Sequence, residues 1–155
     1  MTAHGVEQAT FTIERIFKAP PERVFAAWAN STVKEQWFTG PEGWSQQQRE
    51  LDFRIGGNER LVGIWESGTV TCFEACYHDI RPAELIVYAY DMWSDDALIS
   101  VSLSTAAFLQ ATAGTRFLYT EQGAYFDGKD DARSREKGIR AHFDSLNGIL
   151  PDVVT

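Results

Sequence analysis

Between residues 44 and 122 the chain is cut into short alternating segments by five clusters of turn-forming residues, and this spacing most restricts its fold. The separators are Gly56-Gly57-Asn58, Ser67-Gly68, Arg81-Pro82, Ser94-Asp95-Asp96 and Ala113-Gly114. Glycine, proline, asparagine and aspartate favour the backbone angles of tight turns. The segments between them are 44–55, 60–66, 69–80, 84–92, 98–105 and 115–122. They read as successive strands of an antiparallel sheet. An earlier strand is predicted where Phe11, Ile13, Arg15 and Phe17 alternate with Thr12, Glu14, Ile16 and Lys18.

Two short helices interrupt this pattern. Ala19-Pro20-Pro21 ends the first strand, and a proline suits the first turn of a helix because its missing N–H needs no partner there. Val24, Phe25 and Trp28 form the apolar stripe of that helix. Thr32-Val33-Lys34-Glu35 has the spacing of a capping box for the next, which carries Trp37 and Phe38 and stops before Gly40-Pro41. A long helix closes the chain. From Ala132, apolar side chains recur at Ile139, Phe143, Leu146 and Leu150; Asp130 or Asp131 caps its start and Pro151 ends it. Gly138 lowers helix propensity by about 1 kcal/mol relative to alanine, which predicts a close approach of helix to sheet at that point. The expected architecture is α+β: a curved antiparallel sheet of about seven strands, two short helices after the first strand, and a long C-terminal helix packed on the concave face. Residues 1–9 read as a flexible tail, and 10–151 as a single domain.

Bulk properties remove several classes of function. The formal charge of −8 repels phosphate backbones and anionic lipid, so neither nucleic acid nor a membrane surface is an expected partner. The longest strongly apolar run, residues 85–90, is far below the roughly 20 residues of a membrane span. The first ten residues lack the basic and apolar regions of a signal peptide, which predicts a cytoplasmic protein. Cys72 and Cys76 fall on one strand roughly 13 Å apart, beyond disulfide reach, and read as small buried thiols. His4, His78 and His142 have no metal-ligand spacing, and His142 reads as a hydrogen-bonded packing histidine. Asp127-Gly128-Lys129-Asp130-Asp131 lacks the spacing of a calcium loop and reads as turn and cap chemistry. Arg54 and Asp52 read as an exposed pair. No metal or cofactor is expected.

Period-two alternation assigns strand faces. Thr115, Phe117, Tyr119 and Glu121 share the inward face of the last strand, and Ile86, Tyr88, Tyr90 and Met92 that of the strand at 84–92. Phe73 and Tyr77 are taken as inward on 69–80. On 98–105, Ile99, Val101 and Leu103 are expected inward and Ser100, Ser102 and Ser104 outward. Aromatic richness, with 5 Trp, 5 Tyr and 10 Phe, suits both a packed core and a ligand cavity. Glu121 is the sharpest chemical candidate. Apolar surroundings disfavour a charged carboxylate, which suits acid/base work or gripping the polar end of a ligand. The other reading pairs it with an arginine at the sheet edge.

The motifs 19–28 (Ala-Pro-Pro-Glu-Arg-Val-Phe-Ala-Ala-Trp), Trp37-Phe38, Asp52-Phe53-Arg54-Ile55-Gly56-Gly57, Gly114-Thr115-Arg116-Phe117 and Gly138 occur in an order that resembles the Hsp90-ATPase-activator-homologue branch of the START-like (SRPBCC), or helix-grip, superfamily. The resemblance covers about residues 11 to 150. It implies a helix-grip fold and, in relatives, small hydrophobic ligands, cyclase, dehydratase or hydrolase chemistry, or chaperone regulation. The chain departs from the pattern where Gly138 is followed by Ile139 rather than tryptophan. The function expected first is binding of a small apolar molecule by Trp37, Phe38, Phe53, Phe73, Tyr88, Tyr90, Val101, Phe117, Tyr119, Glu121, Ile139 and Phe143. The alternatives are an enzyme using Glu121 as acid/base with Tyr119 orienting the substrate, and an Hsp90-type chaperone partner. A homodimer is compatible with all three.

Overall fold

A computed structural model describes residues 3–153. Strand β1 (Val6–Phe17) leads into helices α1 (Pro21–Ala29) and α2 (Ser31–Trp37). Six strands follow: β2 (Trp44–Leu51), β3 (Asn58–Trp65), β4 (Val70–Arg81), β5 (Leu85–Ser94), β6 (Ala97–Ala111) and β7 (Gly114–Phe126). Helix α3 (Ala132–Ile149) follows, and a single 3-10 turn, Leu150–Asp152, comes after it. The sheet is antiparallel throughout, in the order β1-β7-β6-β5-β4-β3-β2. Strands β2 to β7 are therefore a simple meander, and β1 pairs with the last strand rather than the next. The two edges of the sheet are consecutive in sequence, so α1 and α2 must carry the chain from one edge to the other. Register shifts in β2, β4 and between β5 and β6 add local twist.

Aromatic side chains weld the layers. Phe143 of α3 packs edge-on against Phe117 and Tyr119 of β7, with ring centroids 5.0 and 5.1 Å apart. Trp28 of α1 meets Trp37 of α2 at 4.9 Å and Phe143 at 6.2 Å. Trp37 Nε1 donates to the carbonyl of Ala27, 2.9 Å away, which ties the short helices together. The predicted stripe Ile139, Phe143, Leu146 and Leu150 is buried, and Asp131 caps α3 by accepting from Ser134 N at 2.8 Å.

Several boundaries and faces differ from expectation. β1 begins at Val6, so residues 6–9, expected in a loose tail, pair with β7 from Phe126 to Gly123; Met1 and Thr2 lie outside the described residues. Asn30, not Thr32, caps α2 through Val33 N. β2 stops at Leu51, leaving Phe53 in the turn that precedes β3. β6 runs on to Ala111, and its inward face carries Ser100, Ser102, Ser104, Ala106 and Phe108. Val101 and Leu103 are 39% and 40% exposed on the opposite face; Ile99 alone of that trio is buried. On the inward face Ser100 and Ser104 meet polar groups, Arg135 and Glu121, whereas the Ser102 hydroxyl is buried without a partner. Cys72 is buried as expected, whereas Cys76 is only half-buried.

Gly138 is the clearest correction. A Cβ there meets nothing within 4 Å, and the residue is exposed. Close contact with the sheet does not explain this glycine.

Candidate functional site

Helix and sheet do not meet everywhere. Between them lies a cavity of about 340 Å³, within the lower range of small-molecule sites. One stripe of α3 forms a wall: Arg135, Gly138, Ile139, His142 and Phe143 succeed one another at helical spacing. The facing wall comes from the concave sheet, with Phe73, Tyr88, Tyr90, Met92 and Tyr119. Trp28, Lys34 and Trp37 from the short helices, with Phe38 and Trp44 from the segment after them, close the side. Trp44 fits because glycines lie against it. A Cβ at Gly63 would come within 1.9 Å of the indole and one at Gly40 within 2.3 Å. Its Nε1 donates to Thr71 Oγ1 at 3.1 Å.

Two buried polar clusters adjoin this apolar space. The first is centred on Glu121, which is fully buried. Tyr119 donates to its Oε1 at 2.5 Å, and Ser104 to the same oxygen at 3.1 Å. The Tyr90 hydroxyl lies 2.9 Å from both carboxylate oxygens. Arg135 reaches down from α3: Nη1 donates to Tyr90 Oη at 2.8 Å and stands 3.8 Å from Glu121, while Nη2 donates to Ser100 Oγ at 2.7 Å and to Asp130. Burial pulls the Arg135 pKa down, but Tyr90, Asp130 and Glu121 together outweigh it, so the guanidinium is held above its ordinary range. Burial raises Tyr88, Tyr90 and Tyr119 well above the usual phenol value, with the Glu121 charge adding to it. All three remain hydroxyl donors at any physiological pH.

The second cluster sits beneath α2. Lys34 is 3% and Glu59 2% exposed. Lys34 Nζ lies 2.6 Å from Glu59 Oε1 and 3.1 Å from Tyr77 Oη, and Tyr77 donates to the same Glu59 oxygen at 2.5 Å. Burial lowers the Lys34 pKa, against the attraction of Glu59. Nearby, His142 Nε2 is 3.1 Å from the carbonyl of Thr39, and its ring packs edge-on against Phe38. Burial lowers the His142 pKa to about 4.

A model of the family described as Activator of Hsp90 ATPase homolog 1-like protein matches residues 18–151. The chain belongs to this family. Among solved structures, an uncharacterized protein from Rhizobium leguminosarum is 39% identical, covering 95% of this chain and 97% of its own, with a TM-score of 0.90. A protein from Rhizobium loti is 37% identical over 94% of this chain and 99% of its own, with a TM-score of 0.86. The AHSA1-like protein from Aeromonas hydrophila, at 14% identity with 93% of each chain covered and a TM-score of 0.66, shares the fold. No curated protein matches the chain.

Within this Hsp90-activator-homologue-like fold, Trp37, Phe38, Phe73, Tyr88, Tyr90, Tyr119, Ile139 and Phe143 line the cavity, as the strand and helix periods anticipate. Four expected members do not. Val101 points away from it on the convex face. Phe53 packs between Phe25 and Tyr77, outside the lining. Phe117 is buried behind Phe143 in the solid core. Glu121 lies behind the wall of tyrosines, and its arginine partner comes from α3 rather than the sheet edge. Arg54 and Asp52 form the exposed pair expected of them. Lys34, Glu59 and Arg135 join the site without having been expected there from the sequence. The signals were present: Lys34 stands one helical turn before Trp37, Glu59 shares a strand face with Leu61, and Arg135 precedes Ile139 by four. Among the described residues no group of three or more His, Cys, Asp or Glu could hold a metal ion, and no helix is long and apolar enough to cross a membrane.

Proposed function

We propose that this protein binds a small, mostly apolar molecule in the cavity between the concave sheet and α3. The observation that carries this reading is the cavity itself: about 340 Å³, walled largely by aromatic rings, with a few fixed polar groups converging on it. Such a lining supplies apolar contact for affinity, and the polar groups fix orientation. Arg135 is the donor and Tyr88 the hydroxyl best placed to meet a polar end of the ligand, since both line the cavity. Tyr119 spends its proton on Glu121, so Tyr88, 3.3 Å away, donates to Tyr119 and presents its free lone pair as an acceptor. A ligand hydroxyl or amine suits that oxygen.

Glu121 serves this site as a positioning residue. Three hydroxyls converge on its carboxylate and none of its surface faces the cavity, which favours orientation of Tyr90 and Tyr119 over acid/base work. The chaperone-regulator reading draws on the family description alone. Thermal shift combined with native mass spectrometry against lipids, aromatics and polyketide-like compounds tests the binding reading. The expected result is at least one compound that raises the melting temperature and stays bound at one per chain. Absence of any stabilising compound, with the cavity found filled by side chains in a crystal structure, overturns it.

A further inference from the structure

Four lysines occur in the chain, and three of them, Lys18, Lys129 and Lys137, are exposed. Lys34 alone is buried, and it is also the lysine that lines the cavity. Its Nζ is boxed by aromatic rings, 4.9 Å from the centroid of Phe38, 5.3 Å from Trp28, 5.8 Å from Tyr77 and 5.9 Å from Trp37. Of its three N–H groups, the geometry commits one to Glu59 and one to Tyr77. The remaining charged and titratable neighbours are Arg49 of β2 and His142 of α3.

We infer that Lys34 is a covalent anchor for carbonyl ligands, its amine forming a Schiff base with an aldehyde or ketone seated in the cavity and Glu59 carrying the proton. This deepens the binding reading and rests on it. A buried ammonium–carboxylate pair is held at a large desolvation cost. Moving one proton 2.6 Å from Nζ to Glu59 Oε1 removes both charges at once and leaves a neutral, nucleophilic amine. That amine attacks the carbonyl carbon; the C–N bond forms and the π pair moves to oxygen, which takes a proton from the nitrogen. Glu59 then returns its proton to the hydroxyl of this carbinolamine, the C–O bond breaks and water leaves. The nitrogen lone pair becomes the second bond of a protonated imine, beside a carboxylate once more. The aromatic box that surrounds the ammonium suits this iminium cation equally.

Borohydride trapping tests the inference on the full chain. The protein is incubated with a panel of aryl, conjugated and aliphatic aldehydes, cinnamaldehyde among them, reduced, and mapped by peptide mass spectrometry. Cinnamyl alcohol, which fills the same space without a carbonyl, is followed in parallel by thermal shift. Lys34 is the lysine that lines the cavity, and burial disfavours its ammonium form, so labelling of Lys34 should exceed that of each exposed lysine by about tenfold or more. Lys34→Met should abolish the specific adduct and Glu59→Gln should slow its formation; the mapping in the natural chain decides the matter even if a variant folds poorly. Adducts confined to Lys18, Lys129 and Lys137 while cinnamyl alcohol still stabilises the protein would overturn the Schiff base and leave the binding reading standing. No adduct at Lys34 and no stabilisation by any probe would count against both.

Discussion

The two buried charge clusters beside the cavity solve one electrostatic problem in opposite ways. Around Glu121 the charge is dispersed: three hydroxyls and a guanidinium share one carboxylate, and α3 is pinned to the sheet in the process. Around Lys34 the charge is concentrated in a single ion pair with one phenol, and aromatic faces occupy the other sides. The carboxylate of the first is hidden behind tyrosines, whereas the cation of the second belongs to the cavity wall. A dispersed cluster resists change because removing one member disturbs the hydrogen bonds of several others. A lone pair can be deleted whole.

Mutation breaks this comparison or upholds it. Glu121→Leu should cost about 3–5 kcal/mol in chemical denaturation, since it takes a buried acceptor from three hydroxyls and leaves Arg135 with Asp130 as its one carboxylate. Adding Arg135→Met to it should recover little, because Tyr90 still lacks its carboxylate acceptor and Asp130 loses its cation. Lys34→Met alone should cost a similar amount, about 3–5 kcal/mol. Here the double variant Lys34→Met with Glu59→Leu should be more stable than either single one. Recovery of equal size at both clusters would erase the distinction.

The His142 ring at the cavity edge sharpens the comparison by pH. Its folded pKa of about 4 lies below the unfolded value near 6.5. The folded state therefore binds fewer protons in this window, and its contribution is complete above about pH 6.5 and lost as pH falls toward 4. For a half-buried ring, a contribution of about 1–2 kcal/mol is expected. Denaturation of the natural chain and of His142→Gln across that range isolates it: the gap between them should narrow as the solution is acidified.

The smallest effect concerns Gly138. With open space around its missing side chain, Gly138→Ala should stabilise the protein by up to about 1 kcal/mol through helix propensity. Denaturant midpoints measure it, and a loss of stability would restore the tight contact that the helix period alone suggests.

What the sequence made legible follows where local chemistry and burial agree. Turn residues mark the strand order, and alternating aromatics set the inward faces of β5 and β7 correctly. β6 misleads because the rule that apolar residues face inward fails beside a polar interior. Val101 and Leu103 are more apolar than Ser100 and Ser104, yet only these two serines can partner Arg135 and Glu121 opposite them. Lys34 and Glu59 escape notice for the same reason: each sits on an inward face, and charge alone argues it outward until its partner, 25 residues away, is known. Gly138 misleads in another way, because propensity says what a glycine costs the helix and nothing about what lies beside it.

That glycine also offers the most direct test of the binding site. Gly138 lies on the exposed rim of the cavity, where a large side chain should enter the opening without disturbing the packed layers. The measurement is a titration of the natural chain and Gly138→Trp with a fluorescent apolar probe, alongside their melting temperatures. Saturable one-site binding in the natural chain, weakened about tenfold or more in Gly138→Trp at undiminished stability, is the predicted result and corresponds to a loss of about 1.4 kcal/mol. Equal binding by the two proteins would place the probe elsewhere and contradict the cavity as the site of function.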